Sequence, residues 1–220
     1  MEAFVCGGMR KPTVTVIDYG MGNLWSVLNA LRYLGCNPTV SGDPDEIATA
    51  DSLLLPGVGS FRKAMIALKQ QGLDQAIIEA VQTKGSKILG ICLGMQLMGS
   101  SSSEDGDTVG LGLIPNSVDK FTPQEIGANK IPHIGFDLVC SQPDARLFQG
   151  LPHAADFYFV HSYRMLPAGL SGKPAICNYG TEFLAAYEQD NIFATQFHPE
   201  KSQTNGLILL KNFLAQQPLC

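Results

Sequence analysis

Along the chain, apolar and polar positions fall into short blocks with two different periods. Thr13–Ile17 is β-branched, brief and apolar, which predicts a buried strand. After the turn Asp18-Tyr19-Gly20-Met21-Gly22, the residues Leu24, Val27, Leu28, Leu31 and Leu34 recur at helical spacing, and Gly35 is placed to end that helix. Pro38–Val40 predicts a second strand and Ser52–Leu55 a third, stopped by Pro56-Gly57-Val58-Gly59. Phe61, Met65 and Leu68 form the next helical stripe, ending near Gly72; Leu73, Ile77, Ile78 and Val81 form another, ending near Gly85. Lys87–Ile91 reads as a strand that passes directly into a helix reaching Met98.

This alternation predicts an α/β fold with a parallel sheet flanked by helices. Right-handed crossovers then gather the C-terminal strand ends on one edge, where such sheets bind ligands. Ser100–Asp107 is polar, rich in Ser, Gly and acids, and reads as a loop. From Lys130 the texture changes. Strand-like runs follow at His133–Cys140, Phe157–Met165, Pro174–Tyr179, Phe183–Tyr187 and Ile192–Phe197, an antiparallel or mixed extension of the sheet. Leu207, Leu210 and Leu214 mark a closing helix. No internal repeat or linker interrupts the chain, so residues 13–220 read as a single domain behind a short extension over residues 1–12.

Composition narrows the class. Of 220 residues, 45% are apolar and 16% charged, which excludes a disordered chain. A net charge of −5 argues against nucleic acid as a partner, because that footprint is basic. No apolar run approaches the roughly 18 residues of a membrane span. The cysteines Cys6, Cys36, Cys92, Cys140, Cys177 and Cys220 are scattered with no C-x-x-C pair and read as free thiols in a reducing compartment. Met1–Pro12 lacks the layout of a secretory signal: Glu2 precedes a short apolar run, and Arg10 and Lys11 follow it. The expected location is the cytoplasm. His133, His153 and His161 fall in no H-x-x-x-H or Cys/His cluster, so neither a metal nor any other cofactor is expected.

Three local patterns carry candidate chemistry. Gly90-Ile91-Cys92-Leu93-Gly94 lies between an apolar strand and a helix, the layout of a nucleophile elbow with Cys in place of Ser. A thiolate there gains from the positive end of the following helix, and the Leu93 N–H points toward an oxyanion. The competing reading is a small cysteine packed against the sheet. His198-Pro199-Glu200 follows a strand-like run. In an extended segment residues i and i+2 share a side, so Glu200 would accept from one imidazole nitrogen and leave the other for Cys92. The plainer reading is a strand end with a solvated His and Glu. Pro56-Gly57-Val58-Gly59-Ser60 offers backbone N–H groups for a developing anion, or equally a strand-to-helix turn capped by Ser60. There is no P-loop, and the Gly20-Met21-Gly22 turn has Trp25 where a dinucleotide fingerprint needs a third glycine. His161 either lines a pocket or is simply hydrogen-bonded in place.

Aligned together, these elements resemble the class I, triad-type glutamine amidotransferases. The residues that carry the likeness are Ile17–Leu24, Leu55–Phe61, Gly90–Leu97, Gly110–Pro115, Pro132–Gly135, Phe159–Tyr163 and Gln196–Lys201, spread over nearly the whole chain. The Cys and H-P-E motifs specify only the superfamily; the D-Y-G-M-G-N and F-V-H-S-Y stretches resemble the glutaminase subunits of imidazole glycerol phosphate synthases, in histidine biosynthesis. The resemblance implies a flavodoxin-like parallel sheet with an antiparallel extension. It implies that Cys92 attacks the glutamine side-chain amide, that His198 gives a proton to the leaving ammonia, and that Glu200 orients His198. Gln96, Glu104 and Ser162 match positions that hold glutamine, with Leu93 beside them, and the Gly57–Gly59 backbone matches the oxyanion strand, whose peptide flips under the partner's control. The implied partner is a (βα)8-barrel cyclase forming a heterodimer, with Asn23, Tyr158 and Lys201 at or near the interface. A partner has a physical reason: ammonia free in neutral water is mostly protonated and no longer nucleophilic, so it must travel through a dry channel.

The chain departs from the family at Phe136 and Asp137, where Trp and Asn are usual, and at Gly99–Ser103, which is smaller and more polar. Neither departure touches Cys92, His198 or Glu200. They leave open a paralogue feeding another synthase, such as one amidating a surface-polysaccharide sugar. A stand-alone cysteine hydrolase is the other alternative; Gln96 and the late Q-F-H-P-E stretch distinguish it, since intracellular peptidase relatives place their His soon after the Cys. A non-catalytic binding domain would require loss of one of the three residues, and none is lost.

Overall fold

The computed structural model describes residues 12–219; the expected extension lies outside the described residues except for Pro12. In chain order the elements are β1 (Thr13–Ile17), α1 (Leu24–Tyr33), β2 (Asn37–Ser41), α2 (Pro44–Thr49), β3 (Ser52–Gly57), α3 (Phe61–Gln70), α4 (Leu73–Ile78, continued by a π turn over Glu79–Thr83), β4 (Lys87–Cys92) and α5 (Leu93–Leu97). There follow β5 (Ser101–Ser102), β6 (Thr108–Val109), β7 (Val118–Lys120), α6 (Pro123–Ile126), β8 (His133–Cys140), β9 (Ala154–His161) and β10 (Tyr163–Met165). Last come β11 (Lys173–Asn178), β12 (Glu182–Gln189), β13 (Ile192–Thr195) and α7 (Gln203–Ala215).

The main sheet has nine strands in the order β2-β1-β3-β4-β13-β12-β11-β8-β9. From β2 to β13 every pairing is parallel, and from β13 to β9 every pairing is antiparallel. The parallel half thus has the 2-1-3-4-5 order of flavodoxin-like sheets, with β13 as its fifth strand. Alternate side chains of the parallel strands feed two cores. Val14, Val16, Leu54, Leu89 and Ile91 face α1 and α7; Ile17, Leu53, Leu55 and Ile88 face α2, α3 and α4.

Several boundaries differ from the sequence expectation. β3 runs on through Pro56 and Gly57, which pair with Ile91 and Cys92. Pro56 is tolerated because pairing with β1 ends at Leu54, so its missing N–H is not needed on that flank. The stretch expected as one strand over Phe157–Met165 breaks at Ser162: β9 belongs to the main sheet, whereas β10 joins a second sheet in the order β10-β7-β5-β6. The polar segment Ser100–Asp107 is not wholly loop, because Ser101 and Ser102 pair with Val109 and Thr108. β13 ends at Thr195 rather than Phe197.

Lys87 ties the end of α7 to the sheet. Its buried Nζ donates to the carbonyls of Phe213, Leu214 and Gln216 at 3.0, 3.1 and 2.6 Å; the Phe213 carbonyl also accepts from the Gln216 N–H, whereas those of Leu214 and Gln216 depend on the lysine. Burial pushes its pKa down to about 8. Lys87→Met keeps the alkyl stem but leaves the Leu214 and Gln216 carbonyls without this donor, and is expected to cost about 1–3 kcal/mol in urea denaturation. An unchanged midpoint would contradict the anchoring role.

Candidate active site

Cys92 stands where β4 turns into α5, at φ 53° and ψ −109°, a conformation that costs a non-glycine residue roughly 1–3 kcal/mol. The flanking glycines make this turn possible. A Cβ on Gly90 would lie 2.8 Å from the Met95 nitrogen and run into the Met98 sulfur; one on Gly94 would overlap the Leu55 carbonyl oxygen of β3. Only with both bare can β4 fold straight back into α5 and lift the thiol above the sheet edge. Since α5 has only five residues, its dipole is short.

His198 comes to the same edge by another route. After β13 the chain turns, and Pro199–Lys201 forms a 3-10 turn rather than the extended segment expected. Proline at its first position favours that geometry, with φ already near the helical value. The His198 N–H donates to the Tyr158 carbonyl at 2.9 Å, and Ser202 Oγ links the His198 carbonyl to the Tyr158 N–H. Inside this clamp the ring Nδ1 donates to Glu200 Oε1 at 2.8 Å, both side chains being almost fully buried. The carboxylate can only accept, so the tautomer is set and Nε2 is left without a hydrogen-bond partner. Burial pulls the imidazolium pKa down, but the neighbouring Cys92 sulfur and the Glu200 carboxylate outweigh it and hold the value up at about 9. Cys92 and His198 are thus neighbours with no formed hydrogen bond; the thiol instead lies 3.9 Å from the Val160 carbonyl and 3.7 Å from Gln196 Nε2.

Both residues line a cavity of about 310 Å³ together with Val58, Gly59, Leu93, Gln96, Glu104 and the segment from Val160 to Tyr163. Of the expected substrate contacts, Gly59, Leu93, Gln96, Glu104 and Ser162 therefore gather around the sulfur. Gly57 does not line this cavity; it borders a smaller recess with Asn23, His198, Glu200 and Lys201. Tyr158 lies on the outer face of β9, its ring 6.0 Å from the Lys201 ammonium. Gln96 Nε2 is committed inward, to the Tyr163 carbonyl at 3.0 Å and Gln196 Oε1 at 2.9 Å, so only its oxygen is free for a ligand. Glu104 Oε2 accepts from the Phe61 N–H at 2.7 Å, and burial raises its pKa against that bond. The Pro56–Ser60 turn fits both of its readings at once: Ser60 caps α3 while Val58 and Gly59 border the cavity.

His161 also does both things expected of it. It lines the cavity, and it is held by Tyr163 O at 2.8 Å and His133 Nδ1 at 3.2 Å. Burial keeps both rings neutral, pushing His161 down to about 3 and His133 to about 4. Sequence reasoning assigns no role to Gln196, although its place two residues before His198 is a usable signal. It also misses Tyr19, whose buried hydroxyl donates to the Pro56 carbonyl at 3.0 Å and braces the turn that follows.

Comparison with known proteins agrees with this arrangement. The family described as glutamine amidotransferase class-I matches residues 15–217. The chain is 46% identical to the imidazole glycerol phosphate synthase subunit HisH of Moorella thermoacetica, over 91% of this chain and 93% of that one. It is equally 46% identical to the corresponding subunit of Chlorobaculum tepidum, over 91% and 98%. In fold it is similar to PurLQS from Thermotoga maritima, with a TM-score of 0.72 at 17% identity over 93% and 98% of the two chains. A second solved structure, described as a glutamine amidotransferase, gives 0.70 at 17% identity over 91% of this chain and 96% of that one.

Proposed function

This chain belongs to the class I glutamine amidotransferase family, in its imidazole glycerol phosphate synthase branch, and from that premise we propose how its residues divide the work. Its activity is that of the glutaminase subunit in histidine biosynthesis, releasing ammonia from glutamine. Residues 13–220 act as one amidotransferase domain. Cys92 Sγ, as thiolate, attacks the side-chain carbonyl carbon of glutamine, and the C–O electrons move onto oxygen. The Leu93 N–H and a backbone N–H of the Gly57–Gly59 turn receive that oxyanion. His198 is protonated at neutral pH because its pKa is held at about 9. It gives the Nε2 proton to the departing nitrogen; ammonia leaves and a γ-glutamyl thioester remains. The same nitrogen then takes a proton from water, which attacks the thioester, and glutamate departs as the sulfur is released. Glu200 holds Nδ1–H and stabilises the imidazolium. Glu104 and the free oxygen of Gln96 suit the ammonium of the substrate, and Ser162 lines the same cavity.

The carrying observation is the Glu200-anchored imidazole and the elbow sulfur in one cavity with Gln96 and Glu104. The pH profile tests it. His198 carries its proton below about 9 and loses it above, so glutamate release at saturating glutamine is expected to fall as pH rises through that value. A rate still climbing well above it would remove His198 as the acid.

The relatives are named as subunits, and this chain works with a synthase partner. We take that partner to be a (βα)8-barrel cyclase, bound as a heterodimer on the face that carries Asn23, Tyr158 and Lys201. The support is an exposed apolar stripe on β8: Ile134, Phe136 and Leu138 are about half exposed, and Phe136 packs edge-on against Tyr158 at 5.5 Å. Asn23 begins α1 without using its side chain as a cap, so that amide is free for an interface. Among the described residues no helix is long and apolar enough to cross a membrane. The thiols of Cys36, Cys92, Cys140 and Cys177 are unpaired, which fits the cytoplasm.

A further inference from the structure

Gln196 is fully buried between Thr195 and Phe197, with its backbone N–H given to the Ala185 carbonyl at 2.8 Å. Its side chain spans from the nucleophile to the residue that faces substrate. The direction of its amide follows from the network. Gln96 presents its nitrogen to the Tyr163 carbonyl, which can only accept, and the same nitrogen lies 2.9 Å from the end of the Gln196 amide. That end must be the Gln196 oxygen, so the Gln196 NH2 group faces the Cys92 sulfur, 3.7 Å away. The sulfur therefore has two opposed neighbours. The Val160 carbonyl accepts and favours the neutral S–H, whereas the Gln196 N–H donates and favours the thiolate.

We propose that Gln196 is a positioning residue for the nucleophile: its nitrogen holds the Cys92 sulfur and favours the thiolate, while its oxygen fixes Gln96 with the free carbonyl toward the cavity. This rests on Cys92 being the glutaminase nucleophile. The other titratable groups facing the sulfur are His198 from the turn after β13, Tyr19 from the turn after β1, and His161 and Glu104 across the cavity.

The test is the pH dependence of Cys92 alkylation by iodoacetamide, read by peptide mass spectrometry on the intact chain without glutamine or partner, since only the thiolate reacts. In Gln196→Met, which keeps the length but has no donor, the midpoint is expected to move up by about one pH unit, a tenfold lower rate at a fixed pH below it. Gln196→Glu places a carboxylate beside the sulfur and is expected to move it further. The exposed Cys140 serves as an internal reference whose rate stays constant. A merely structural role would alter the melting temperature without moving this midpoint. If either variant folds like the wild type and Cys92 alkylates with the wild-type midpoint, the role of Gln196 is overturned. Absence of glutamate release by the wild-type chain with its partner would instead overturn the glutaminase reading, whatever the alkylation result.

Discussion

Replacing Cys92 by alanine is expected to lower glutamate release by at least about 10⁴-fold, the scale seen when a covalent nucleophile is removed from a cooperating set. The cavity retains Gln96, Glu104 and the His198–Glu200 pair but loses the sulfur proposed to form the thioester. Alanine occupies the same backbone position without new overlap, and the face carrying Ile134, Phe136, Tyr158 and Lys201 is untouched. The variant should therefore still bind the synthase partner and support turnover from added ammonia. A coupled glutamate assay and an ammonia-fed synthase assay on the same preparation check both halves. Residual glutaminase turnover near the wild-type rate would remove Cys92 from the mechanism.

The second large effect comes from a residue with no side chain. In Gly94→Ala the new methyl is driven into the backbone carbonyl of Leu55, which is held in β3 by its pairing with Gly90 of β4. No flexible side chain is available to give way. Overpacking of this kind costs roughly 3 kcal/mol, or about 6–12 °C in melting temperature for a chain of this size. The relief available to the fold is to push α5 away from β3, and α5 carries the Leu93 N–H and Gln96. A displacement of about 1 Å there is expected to cost about 100-fold in glutamate release. A variant that melts and turns over like the wild type would show that the elbow does not depend on this close approach.

Much of the parallel half is legible in the sequence because its strands are continuous apolar runs and its helices carry regular stripes. β1 and β8 have the bounds their sequences predict. The G-x-C-x-G pattern is readable for the same reason that Gly90 and Gly94 cannot be replaced: steric need leaves a sequence trace. Other features leave little trace. β5 and β6 have two residues each, too few for any period, and exist only because the chain returns beside itself. The break at Ser162 is invisible in an unbroken β-like run, since two different sheets claim its halves. α6 carries a Thr122 and Glu125 capping box, but at four residues it is too short to show an apolar stripe. An extended segment and a 3-10 turn both bring Glu200 to His198, and Pro199 selects the turn, so the pairing is legible where its geometry is not. Gln196 stands in the sequence only as the head of the Q-F-H-P-E stretch; its contacts with Cys92 and Gln96 depend on α5 and the end of β13 meeting across β4.

The most direct measurement is glutamate release from glutamine by the chain alone and by the chain with a histidine-pathway cyclase subunit carrying its nucleotide ligand. Weak release alone, many-fold stimulation by the liganded partner, and loss of both in Cys92→Ala are the expected results. No glutamate in either state, or release that survives in Cys92→Ala, would contradict the glutaminase reading.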